Sequence, residues 1–96
     1  MSEQVARHVV IHGKVQGVGF RYWTARTARD LGLDGWVRNR FDGSVEAVFS
    51  GASEAIEKML WACHRGPPEA QVESVQARDA AAGEAGQGGF EQRGTV

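Results

Sequence analysis

Apolar residues alternate with polar ones from Val5 to Val15, with Val9, Ile11 and Val15 on one side and His8, His12 and Lys14 on the other. That period of two predicts a half-buried strand, with Val10 the exception on its polar face. Two glycines in Gln16-Gly17-Val18-Gly19 break the pattern. Phe20, Trp23, Thr24, Thr27 and Leu31 then recur at helical spacing until Gly32, a residue suited to ending a helix. Leu33 to Asn39 and Ser44 to Phe49 predict two further strands, the facing of the second left open. Asp42-Gly43 between them is a strong hairpin signal, because glycine accepts the positive φ of a tight turn.

Ile56, Met59, Leu60 and Cys63 stand at i, i+3, i+4 and i+7, which predicts a helix over about Ser53 to His64 with Ser53 as its N-cap. Gly66-Pro67-Pro68 ends it, since proline cannot continue the hydrogen-bond ladder. Ala70 to Ala77 predicts a fourth strand, with Val72 and Val75 alternating imperfectly. Asp79 to Gly89 is rich in Ala and Gly and predicts a mobile loop, and Phe90 to Arg93 a short last strand. The order βαββαβ implies an α+β ferredoxin-like split βαβ sandwich, an antiparallel sheet carrying two helices on one face.

With 96 residues the chain has room for one core, so residues 1–96 are expected to form a single domain. The net charge is −1, and nine of the eleven basic residues are arginines scattered from Arg7 to Arg93. Such a balance argues against a nucleic-acid partner, which would call for a basic excess. Cys63 is the single cysteine, which excludes an intramolecular disulfide. The start of the chain lacks a basic segment followed by an apolar run, and no stretch approaches the roughly 20 apolar residues of a membrane span. A cytoplasmic location, no membrane association and a monomeric state are expected.

A glycine turn from strand to helix leaves backbone N–H groups unpaired in front of the positive end of the helix dipole, which makes it a candidate anion site. Arg21 enters where its guanidinium can fork onto two oxygens of a phosphoryl group. Two glycines alone would favour a plain tight turn with a solvated arginine. A dinucleotide fingerprint would need glycine where Tyr22 stands, and a Walker A loop would need Lys-Ser/Thr where Phe20-Arg21 follow Gly19. Gly17-Val18-Gly19-Phe20 partly mimics an RNA-binding strand motif, but here it lies between a strand and a helix.

Three blocks carry a sharper resemblance. GKVQGVGFRYW (Gly13 to Trp23), GWVRNRFDGSVE (Gly35 to Glu46) and RGPPEAQVESV (Arg65 to Val75) occur in the order in which similar motifs occur in the acylphosphatase family. The resemblance implies hydrolysis of a small acyl phosphate, a carboxyl-phosphate anhydride, without metal or other cofactor. It implies Arg21 as the phosphate-binding arginine, Asn39 as the residue orienting the attacking water, and the backbone amides of Gln16, Gly17, Val18, Gly19, Phe20 and Arg21 as the cradle. Inorganic phosphate or sulfate would compete as anions. A non-catalytic phosphate-sensing module of the same fold is the alternative, though it would need the arginine and not the asparagine. Gln92 departs from the family pattern, since an apolar residue is usual there.

Elementary chemistry agrees with so sparse a site. An acyl phosphate expels a carboxylate whose conjugate acid has a pKa of about 4, so no general acid is required at neutral pH. Asn39, neutral and able both to donate and to accept, can hold a water in line without taking its proton.

Other chemistries fit less well. A thiol phosphatase would need an arginine closing the loop after Cys63, and Glu69 stands there. Cys63 on the apolar stripe instead predicts a buried thiol. His8 and His12 would lie roughly 13 Å apart along a strand, too far to share a metal. Arg38 and Arg40 are expected to project away from Asn39, Gly35 and Trp36 to serve packing, and Phe20, Trp23 and Trp61 to lie in the core.

Overall fold

A computed structural model describes residues 3–86 and 88–96. Its elements run β1 (Gln4–Lys14), α1 (Phe20–Asp30), β2 (Asp34–Asn39), β3 (Val45–Ala52), α2 (Ser53–Arg65), β4 (Gln71–Asp79) and β5 (Phe90–Gln92). The sheet has the order β4-β1-β3-β2-β5. β1 pairs antiparallel with both β3 and β4, and β2 antiparallel with β3. This is the split βαβ arrangement that the order of elements predicted.

The inner face of the sheet is built by period-two alternation. Val9 and Ile11 of β1 pair with Ala47 and Val45 of β3, Val37 of β2 pairs with Ala47, and Phe49 continues the same face. All are buried together with Ile56, Met59 and Cys63 of α2, so both helices lie on one face. On α1 the fully buried side is Phe20, Thr24, Ala25 and Ala28, while Trp23 and Leu31 pack at its margin. The two alanines let the helix approach the sheet. Desolvation pushes the Cys63 thiol up to about 12, so it stays protonated and inert at neutral pH. An aqueous thiol reagent is expected to modify Cys63 at least about 100-fold faster in denaturant than in the folded protein; equal rates would show that the stripe is open.

Four expectations are corrected. β5 runs parallel to β2, so the sheet is mixed and not wholly antiparallel. The chain leaves β4 at one edge, crosses the outer face, and reaches the far edge pointing along β2. The crossing segment is not featureless: Ala82–Ala85 form a 3₁₀ turn, and Ala85 is buried against Trp36 and Val48. Trp36 Nε1 donates to the Glu84 carbonyl at 2.7 Å, which anchors that turn. Gln87 of the same segment lies outside the described residues. Ser53 is the first helical residue of α2, with Ala52 at the cap position and no side-chain cap. Trp61 is 78% exposed, because it stands two residues beyond Met59 and so on the far side of the helix from the buried stripe.

Candidate active site

The loop from β1 to α1 has the geometry of an anion cradle. Gly17 and Gly19 adopt φ of 73° and 76°, the left-handed region, with Val18 between them at negative φ. Alternation of this kind turns successive N–H groups toward one concavity. A Cβ at either glycine would meet nothing within 4 Å, so the backbone angle demands glycine and crowding does not. Gly19 caps α1 with no side-chain acceptor, and the first turn contains no acidic residue. After β1, the first amide with a partner among the described residues is that of Trp23, which donates to the Gly19 carbonyl at 3.0 Å. Among the described residues, the amides of Gly17 to Tyr22 therefore have no acceptor in the protein and stand at the positive end of the helix.

Asn39 reaches this loop from the opposite direction, at the end of β2. The hairpin beyond it is held locally: Arg40 N–H donates to Ser44 O at 2.9 Å and Gly43 N–H to Arg40 O at 3.1 Å. The Ser44 amide and hydroxyl both donate to Asp42 Oδ1, at 2.9 and 2.6 Å, and hold its carboxyl below the usual carboxylate value. Gln16 then joins hairpin to cradle, because its Nε2 donates to Arg40 O at 2.7 Å and Ser44 O at 2.9 Å. Each such bond contributes about 1 kcal/mol net, and the pair sets the distance between the two halves of the site.

The result is a cleft of about 160 Å³ lined by Val15, Gly17, Gly19, Phe20, Arg21, Tyr22, Asn39 and Gln92. Arg21 and Asn39, eighteen positions apart, share it. Neither side chain has a hydrogen-bond or ion-pair partner among the described residues, which leaves both free for a ligand. Of the predicted cradle, Gly17, Gly19, Phe20 and Arg21 line the cleft; Gln16 and Val18 do not, and Gln16 serves instead as the brace. Sequence reasoning missed Tyr22 and Gln92. Parity with buried Phe90 would have placed Gln92 on the inner face of the last strand.

Arg38 projects to the outer face as expected. Its Nε donates to Glu46 Oε1 at 2.7 Å, its guanidinium lies 4.6 Å from the Trp36 ring centre, and His8 Nε2 is 2.6 Å from Glu46 Oε2. Burial pushes the Glu46 carboxyl up, but the bonds from His8 and Arg38 outweigh it and hold it low. Arg40 comes only within 4.0 Å of Asp42 Oδ2 at the surface. Among the described residues no three of His, Cys, Asp and Glu converge as a group that could hold a metal ion, and no helix is long and apolar enough to cross a membrane.

Fold and cleft together define a two-layer split βαβ sandwich with a turn of unpaired backbone amides at the start of its first helix. The family model for acylphosphatase matches residues 7–91. An acylphosphatase of Rhizorhabdus wittichii is 50% identical over 94 residues, spanning 98% of this chain and 93% of that one. Solved acylphosphatase structures from Coxiella burnetii and Bacillus subtilis superpose with TM-scores of 0.88 and 0.87 at 34% and 32% identity. The superpositions cover 94% and 93% of this chain and 93% and 98% of those. The chain belongs to the acylphosphatase family.

Proposed function

We propose that the chain hydrolyses acyl phosphates by metal-free, in-line attack of a water held by Asn39 on a phosphoryl group held by Arg21 and the loop amides. Family membership makes the chain an acylphosphate hydrolase; the division of labour is inferred from the cleft. The guanidinium of Arg21 forks onto two phosphoryl oxygens while the free amides of the Gly17 to Arg21 loop take the remaining lone pairs. Phosphoryl transfer asks chiefly for position and charge stabilisation, and both are preset here by backbone geometry. The water oxygen bonds to phosphorus and the acyl P–O bond breaks. The electron pair departs with the carboxylate, and the proton passes to a phosphoryl oxygen.

The observation that carries this reading is one cleft shared by Arg21 and Asn39, both without a partner among the described residues, and a left-handed glycine loop. The purified chain with a chelator present is expected to consume benzoyl phosphate and leave an aryl phosphate monoester intact, because the monoester has a poorer leaving group. Inorganic phosphate or sulfate should inhibit competitively. Activity lost to chelation and restored by zinc or magnesium would end the metal-free reading; phosphate binding without turnover would leave only a binding module.

A further inference from the structure

Gln92 lines the cleft, although the proposed mechanism assigns it nothing. In the parallel register of β5 on β2, Gln92 stands beside Val37, which is fully buried on the inner face. Phe90, two residues earlier, is buried on that face and stacks on Phe49 with ring centres 5.6 Å apart. Asn39 is two residues beyond Val37 and therefore on the same face. Gln92 and Asn39 are thus diagonal neighbours on adjacent strands, a separation of roughly 7 Å between backbones that long side chains span.

The backbone around Gln92 is held by its neighbours. Arg93 N–H donates to Val37 O at 2.8 Å, and the Arg29 guanidinium donates twice to Phe90 O, at 2.7 and 3.2 Å. The Arg93 guanidinium lies 4.9 Å from the Trp36 ring centre, clamping the strand's exit from the outer side. Neither the Gln92 nor the Asn39 carboxamide has a partner among the described residues, and the two do not bond each other. Two unpaired amides on one wall of a small polar cleft, not bonded to each other, are a site for a bridging water.

We propose that Gln92 is a second positioning residue for the attacking water, an inference that rests on the acylphosphatase reading above. Asn39 Oδ1 accepts one O–H of that water and Gln92 Nε2 donates to one lone pair. The other lone pair then faces phosphorus and the remaining O–H faces a phosphoryl oxygen, which takes the proton as the carboxylate leaves with the P–O electron pair. One amide fixes where the water sits; two also fix how it is turned.

The test is steady-state hydrolysis of benzoyl phosphate, with phosphate inhibition and thermal unfolding, for wild type, Gln92→Leu, Gln92→Met, Asn39→Ala and Asn39→Ala/Gln92→Leu. Met keeps the length of the side chain should Leu disturb the strand. Both Gln92 variants are expected to lose about 5–10-fold in kcat with KM and phosphate inhibition within about twofold. The double variant should be no slower than Asn39→Ala by more than about twofold, since both residues act on one water. Unchanged kcat in both Gln92 variants, a rise in KM alone, or multiplicative losses in the double variant would each overturn the proposal. Wild-type inertness toward benzoyl phosphate, or full turnover by Asn39→Ala, would instead overturn the reading beneath it.

Discussion

Replacing Arg21 with glutamine is expected to lower kcat on benzoyl phosphate by about 10²–10³ and to weaken inhibition by inorganic phosphate by about tenfold. Among the described residues the guanidinium is the one cation lining a cleft whose other polar groups are neutral, and on the proposed reading its contacts would shorten and strengthen as charge spreads over the equatorial oxygens. Arg21 makes no hydrogen bond or ion pair among the described residues, so deleting its charge should leave the melting temperature within a few degrees of wild type. The loss would therefore be one of catalysis and not of folding. Arg21→Lys should fall between the two, because an ammonium keeps the charge but lacks the planar fork. Turnover near wild type in Arg21→Gln, measured by release of phosphate under saturating substrate, would remove the arginine from the site.

The parts of this fold legible in the sequence are those set by local chemistry. Val9 and Ile11 alternate with His8 and His12, Asp42-Gly43 turns the hairpin, and Gly66-Pro67-Pro68 closes α2 after Arg65. Each depends on backbone angles or side-chain direction within a few residues. The left-handed turn between β1 and α1 was legible for the same reason, since Gly17 and Gly19 mark such positions wherever the rest of the chain lies. What escaped was non-local. The last strand is legible near Phe90, but three residues carry too few positions to show its facing, and its parallel direction follows from where the chain crosses the sheet. Hydrophobicity alone would place Trp61 inward, but the stripe of Ile56, Met59 and Cys63 faces the other way.

The Gln16 brace shows the same divide within a single residue. Its backbone belongs to a loop recognisable from two glycines, while its side chain ends on the carbonyls of Arg40 and Ser44 in a hairpin far along the chain. Nothing in the spacing of residues announces such a contact, because a glutamine has many carbonyls within reach in any compact chain. Yet this contact ties the glycine loop directly to the hairpin that follows Asn39. Arg21 enters from the helix, Asn39 from the hairpin, and their separation is fixed by neither element alone. The candidate site is thus read most easily in its glycine turn and least easily where its two halves are joined.

Asn39→Ala separates those two aspects, and it is expected to lower kcat by about 10²–10³ while phosphate inhibition stays within about twofold of wild type. The carboxamide holds no partner among the described residues, and the hairpin around it is secured through backbone groups, with Val96 N–H donating to Asn39 O at 3.1 Å and Gln16 gripping Arg40 O. Alanine preserves each of those bonds, so stability should change by less than about 0.5 kcal/mol. The cradle amides and Arg21 remain, so an anion still binds. On the proposed reading, what would be lost is the near-attack placement of water, whose removal acts on the chemical step and not on ground-state affinity. Paired measurements of kcat and of the phosphate inhibition constant decide the matter: weakened phosphate binding with turnover retained would mean that Asn39 grips the phosphoryl group and that the water is held by something else.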